Sequence, residues 1–261
     1  MPRADAIYWE EHGPGDGPAL ILSAGLGGAS TYWKPNLASL ASRHRVIAYD
    51  HRGTGRSDRF LPAEVTEEDM ARDVEMLMDH LGIAKATLIG HALGGIVGLS
   101  MALLAAERLE GLVIVNGFAR ADRHFRNCMD IRLNLLRGSG IAAFVRAQPL
   151  FLYPARWIVK HFDEIAAEEE AHCLNFQGRE TLEARVDLLC ACDFEGRLEA
   201  VATPTLIVAA RDDLLVESSA SERLAAGIRG STLAMMDSGG HACNITEAER
   251  FNRIVLDWLD G

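Results

Sequence analysis

The chain has 261 residues, of which 49% are hydrophobic and 24% charged. Such a composition suits a folded globular chain, and this length buries roughly 70–75% of the unfolded surface without staples. Lys plus Arg number 26 against 37 Asp plus Glu, a net charge of −11; this argues against nucleic acid or an anionic membrane surface as partner, and an anionic ligand would need a local cation.

The opening residues, MPRADAIYWEEHG, contain no apolar stretch of a secretory signal. The first strand, Ala19–Ser23, runs into a glycine-rich loop, Ser23-Ala24-Gly25-Leu26-Gly27-Gly28. That loop has neither G-x-x-x-x-G-K-[ST] nor a clean G-x-G-x-x-G, so the reading as a nucleotide cradle is weak. A second strand, Arg45–Tyr49, ends in Asp50–Gly55, which is expected to brace the neighbouring loops. Thr66 followed by Glu67-Glu68-Asp69 caps a helix whose apolar residues Met70, Val74, Leu77 and Leu81 share a face, and Gly82 stops it. A strand at Ala86–Ile89 turns through Gly90–Gly94 into an apolar helix over Leu93–Ala105. The longest nearly apolar run, Leu93–Ala106, is 14 residues, short of the roughly 20 that cross a bilayer. After the strand Leu112–Val115 the βα rhythm breaks. Arg120, Arg123, Arg126, Arg132, Arg137 and Arg146 form a basic stretch, Pro149, Pro154 and an acidic run at Glu168–Glu170 follow, and no strand signal appears until Thr205–Ala209. The last helix, Glu247–Leu259, carries Phe251, Ile254, Val255 and Trp258 on one face.

Strands that are continuously apolar are buried on both faces, as in parallel sheets. The pattern predicts a doubly wound α/β fold in which residues 1–117 and 201–261 form the core and residues 118–200 a helical cap over the strand C-termini, all one structural unit. The five cysteines (Cys128, Cys173, Cys190, Cys192, Cys243) are scattered and odd in number; they make neither a disulfide framework nor a zinc pattern, and fit reduced thiols in a cytoplasm.

Three loops carry the chemistry. Gly90-His91-Ala92-Leu93-Gly94 has the strand-to-helix spacing of a nucleophile elbow, G-x-S-x-G, with Ala92 at its centre. An acid follows a late strand at Asp212-Asp213, and a histidine, His241, lies in a glycine loop before the last helix. Nucleophile position, acid, base is the chain order of that arrangement. In it, the amides of Leu26 and Leu93 would face a developing oxyanion.

The stretches YDHRGTG (49–55), GHALG (90–94), VNGF (115–118), AQPLFLYPARW (147–157), DDLLV (212–216) and GGHACNIT (239–246) resemble the α/β-hydrolase superfamily over the whole chain. More narrowly they resemble the RutD family of the uracil-degrading pathway, described as aminoacrylate or carbamate hydrolases. The resemblance implies an α/β-hydrolase fold: a mostly parallel, doubly wound sheet with a helical cap inserted after the sixth strand. It implies a cytoplasmic enzyme with a small-molecule substrate and without metal or cofactor. It puts Asp213 in the acid position, His241 in the base position, Glu217 where many hydrolases have proline, and Ala92 where the superfamily has serine.

A methyl cannot attack, so an acyl-enzyme route needs another nucleophile. His91 and Ser23 are the nearest candidates on the site loops, and the thiol of Cys243, two residues past His241, is expected to aim elsewhere. The family's substrates relax this need: carbamate collapses once its nitrogen is protonated, and aminoacrylate, an enamine, takes a proton at carbon and then water. Both ask for a proton donor such as His241 rather than a covalent intermediate. Arg120 and Arg123, with Arg126, are the expected cation for the substrate, and His91 and Trp157 further candidate contacts. Leu150, Phe151, Leu152, Tyr153 and Trp157 line either the pocket or a homodimer contact. Two other readings stand beside this one: a non-catalytic ligand-binding or scaffold protein on a degenerate hydrolase fold, and a serine esterase whose nucleophile position is Ala92.

Overall fold

The computed structural model describes residues 3–4 and 6–261. Met1, Pro2 and Asp5, on which the expectation about the N-terminal signal partly rests, lie outside the described residues. The strands are β1 (Arg3–Ala4), β2 (Ile7–His12), β3 (Ala19–Ser23), β4 (Arg45–Tyr49), β5 (Ala86–His91), β6 (Leu109–Val115), β7 (Thr205–Ala210) and β8 (Thr232–Met236). They form one sheet in the order β1-β2-β4-β3-β5-β6-β7-β8. The pairs from β4 through β3, β5, β6 and β7 to β8 are parallel, and β1 and β2 join antiparallel at one edge.

Alternation along each central strand explains why the strands read as unbroken apolar runs. Ile21, Ile47, Leu88, Leu112 and Ile114 point to one face, and Leu20, Leu22, Val46, Ile89, Val113 and Val115 to the other. The first face is covered by α2 (Glu67–His80) and α3 (Leu93–Leu104), which follow α1 (Lys34–Leu40) in the chain. α2 begins in a full capping box: the Thr66 hydroxyl accepts from the Asp69 amide at 3.1 Å, and the Asp69 carboxylate accepts from the Thr66 amide at 3.0 Å.

Between β6 and β7 the chain makes five helices and no strand of the sheet: α4 (Arg123–Ser139), α5 (Ile141–Leu152), α6 (Ala155–Lys160), α7 (Phe162–Leu174) and α8 (Arg179–Ala191). Apolar side chains of this insertion, among them Phe125, Leu133, Phe144 and Leu188, belong to the same buried cluster as the first face of the sheet. The Phe194 amide donates to Ala119 O at 2.9 Å and ties the two ends of the insertion together. The remaining helices are α9 (Ser218–Gly227), α10 (Cys243–Thr246) and α11 (Ala248–Leu259); Phe251 and Val255 of α11, with Trp33 and Leu40, cover the second face of the sheet. Among the described residues no helix is long and apolar enough to cross a membrane.

The Asp50–Gly55 turn braces the glycine-rich loop, as the sequence suggests. Asp50 Oδ1 accepts from the Ser30 amide and hydroxyl at 2.8 and 2.7 Å, and the His51 amide donates to Gly28 O at 2.8 Å. The loop in turn presses against α3, where a Cβ on Gly94 would lie 2.1 Å from Ser23 O. Both sides of that contact are backbone, so nothing can give way cheaply. Gly94→Ala is therefore expected to destabilise the fold by about 3 kcal/mol, the upper end for overpacking, read as a lower midpoint in urea unfolding; an unchanged midpoint would contradict this packing.

Candidate active site

The turn from β5 to α3 passes through Ala92 with φ 46° and ψ −105°, a conformation that costs a residue with a Cβ roughly 1–3 kcal/mol. The surroundings hold it there. The Ala92 amide donates to Val115 O at 3.0 Å, and Ala92 O accepts from the Ile96 amide at 3.1 Å. A Cβ on Gly90 would lie 2.2 Å from Gly94 O, so the turn closes this tightly only with glycine at that flank. The Leu93 amide is the first of α3 and has no acceptor within the helix. The half-buried Leu26 lies in the turn closed by the Gly28 amide on Gly25 O at 2.9 Å. A Cβ on Gly25 would come within 2.6 Å of His91 Nδ1, so this loop packs directly on the elbow.

Asp213 follows β7, and His241 precedes α10. Their side chains meet: His241 Nδ1 lies 2.8 Å from Asp213 Oδ2, with the residues 3% and 7% exposed. The second oxygen, Asp213 Oδ1, accepts from the Leu215 and Val216 amides at 2.8 and 3.0 Å. A carboxylate held this way accepts, so the ring carries its proton on Nδ1 and leaves Nε2 to exchange one. The neighbouring Asp212 acts on the backbone instead. Its Oδ1 accepts from the Gly240 amide at 2.8 Å and fixes the loop one residue before the base.

The backbone of His241 is held as firmly as its ring. Its carbonyl accepts from Asn116 Nδ2 at 2.7 Å and lies 2.8 Å from His91 Nε2. Facing a carbonyl, His91 Nε2 must donate, so His91 is in the Nε2–H tautomer. Burial, helped by the neighbouring His241, holds His91 well below the ordinary histidine range, so it is neutral. Its ring stacks on Tyr32 at 4.8 Å and meets His241 edge-on at 4.6 Å. The one donor of His91 is thus spent on positioning the His241 carbonyl, and its buried Nδ1 has no partner. Asn116, at the end of β6 with φ 47°, also donates to Gly240 O at 3.1 Å and accepts from the Ala210 amide at 3.0 Å. It links β6, β7 and the base loop. No motif spacing points to it; an asparagine directly after a strand, tolerant of positive φ, is the signal the sequence offers.

The alternative nucleophiles are not placed for attack. The Ser23 hydroxyl is fully buried between Tyr49 Oη at 2.8 Å and His51 Nε2 at 3.2 Å. Cys243 is fully buried, and burial together with Asp213 pushes its thiol up to about 12. The expected cations need correction as well. Arg120 is neutralised at the surface by Asp193 and Glu195 at 3.6 and 3.3 Å, and Arg123 is exposed at the start of α4. Arg126 donates to the carbonyls of Ala121 and Cys190. Trp157 is half-buried and packs against Tyr153 at 4.5 Å and His161 at 4.0 Å. Among the described residues no three His, Cys, Asp or Glu side chains group as metal ligands.

Comparison with known proteins agrees with this fold. The family model for the α/β hydrolase fold matches residues 18–141. "Putative carbamate hydrolase RutD" of Variovorax paradoxus (strain S110) is 46% identical over 254 residues, covering 97% of this chain and 96% of that one. The protein of the same name from Caulobacter sp. (strain K31) is 45% identical over 259 residues, covering 98% and 97%. The chain belongs to the RutD family of α/β hydrolases. Among solved structures, the enol-lactonase from Burkholderia xenovorans LB400 superposes with a TM-score of 0.89 at 26% identity, covering 98% of this chain and 96% of its own.

Strain at the elbow gives a direct test. Ala92→Gly removes the Cβ that opposes φ 46° and should raise unfolding stability by about 1 kcal/mol after the entropic cost of glycine. Thermal and urea denaturation measure it, and a loss of stability would mean that the turn is unstrained.

Proposed function

We propose that this hydrolase releases ammonia from a small, unstable nitrogen compound of uracil breakdown, carbamate or 3-aminoacrylate, by proton transfer through His241 without a covalent intermediate. The observation that carries the reading is the intact, buried Asp213–His241 pair at 2.8 Å beside an elbow whose attacking position is a methyl. The names of the RutD relatives support a carbamate-type substrate.

In this reading Asp213 orients the imidazole and stabilises the imidazolium. His241 Nε2 delivers a proton to the carbamate nitrogen; the C–N bond then breaks and its electron pair leaves with ammonia, giving carbon dioxide. For 3-aminoacrylate the proton goes to the carbon beside the carboxylate. The iminium so formed takes up water, which yields its proton to the imidazole, and the adduct collapses to ammonia and malonic semialdehyde. The Ala92 methyl leaves room for that water, and the amides of Leu93 and Leu26 are the donors for a developing negative oxygen.

A positioned acid–base group contributes about 10²–10⁴-fold. His241→Ala is therefore expected to slow ammonia release by that factor, measured above the spontaneous rate with each compound in turn; Asp213→Asn should also fall, because the tautomer is no longer enforced. Release unchanged in His241→Ala contradicts the mechanism, and ligand binding without turnover in the unmodified protein would favour the scaffold reading.

A further inference from the structure

Two arginines of the helical insertion are buried with no acid beside them. Arg132 on α4 is 4% exposed and Arg185 on α8 is 0%. Each is held by a glutamine oxygen in place of a carboxylate, Gln148 for Arg132 and Gln177 for Arg185. The terminal nitrogens of Arg185 are used up, since they also donate to Thr54 Oγ1 at 2.7 Å, Arg52 O at 2.7 Å and Leu26 O at 3.2 Å, which pins the loop facing the elbow; its Nε alone has no partner. Arg132 is not used up. Its Nη1 meets only the thioether of Met129 at 3.7 Å, and its Nε has no partner.

A buried guanidinium without a counterion is costly, and a hydrocarbon of similar volume would be less so. The chain has 37 acidic residues, and other arginines of the insertion are matched: Arg137 and Arg179 by Glu183, Arg146 by Glu169. Burial lowers Arg132 to about 10, so it stays charged at neutral pH. An anion is therefore the missing partner.

The position suits the proposed reaction. The first turn of α4 touches the acid loop, where His124 Nε2 donates to Leu214 O at 2.6 Å. One turn on, Cys128 is close enough to feel both Asp213 and Arg132. Phe144 and Phe151 flank the guanidinium with ring centroids 5.5 Å away, and Leu152, next to Phe151, accepts from the Ala242 amide at 3.0 Å beside the base. We propose that Arg132, with Gln148, binds the carboxylate of the substrate, Phe144 and Phe151 forming apolar walls and the flexible Met129 giving way. This rests on the reading that a small carboxylate reacts at His241.

The test is calorimetric titration with propionate and with its neutral isostere propionamide, together with thermal unfolding. The unmodified protein should bind propionate at least tenfold more tightly than propionamide, and Arg132→Met should abolish that preference while unfolding at a higher temperature than the parent. A purely structural arginine would instead lower the unfolding temperature and leave the preference intact. Equal binding of the two ligands by the unmodified protein, or an unchanged preference in Arg132→Met, overturns the proposal without needing any turnover. If Arg132→Met does not fold, Arg132→Lys carries the comparison: it should keep the sign of the preference at reduced size, and a preference equal to the parent's would count against the proposal. His241→Gln separates the two readings, since it should retain propionate binding while ammonia release collapses. Retained release with retained binding would sink the reaction and leave the carboxylate subsite standing.

Discussion

One hydrogen bond carries the proposed chemistry, the 2.8 Å contact between His241 Nδ1 and Asp213 Oδ2. It chooses the tautomer, aims Nε2 and supplies the negative charge that a protonated ring needs. Much of the surrounding structure serves to keep that contact in place. Two backbone amides hold Asp213, Asp212 holds Gly240, and Asn116 and His91 hold the His241 carbonyl from the ends of β6 and β5. The parallel sheet brings those strand ends together, which is why residues far apart in the chain act on one imidazole.

The elbow poses the complementary constraint. Its strained backbone, its glycine flank and the amide of Leu93 keep the architecture that presents a nucleophile, yet the side chain presented is a methyl. Strain of this kind persists where the surroundings over-determine it, and here the hydrogen bonds of Ala92 to Val115 and Ile96 do so. In the proposed function, proton delivery and a placed water take over, the chemistry that an enamine or a carbamate requires.

Much of this is legible in the residues. β3 to β7 show in the sequence because both faces are buried, so each is an apolar run closed by a small or polar residue. β2 and β8 leave no such trace: β2 carries Glu10, Glu11 and His12, and β8 leaves Thr232 and Leu233 exposed at the sheet's edge. Asp213 and His241 are readable from chain order, whereas Asn116 and the role of His91 are not, because both act on a backbone carbonyl and no spacing displays that. Arg120 misleads for a related reason: its neutralising acids, Asp193 and Glu195, lie at the far end of the insertion. Arg132 sits four residues after Cys128 and four before Leu136, on the buried face of α4, and its charge hides it from a search for apolar periodicity.

The most direct test of His241 as the proton carrier is the rate of ammonia release from saturating 3-aminoacrylate in H₂O against D₂O. Transfer from the imidazolium to carbon in the slow step predicts clearly slower turnover in D₂O. Equal rates in the two solvents would contradict it.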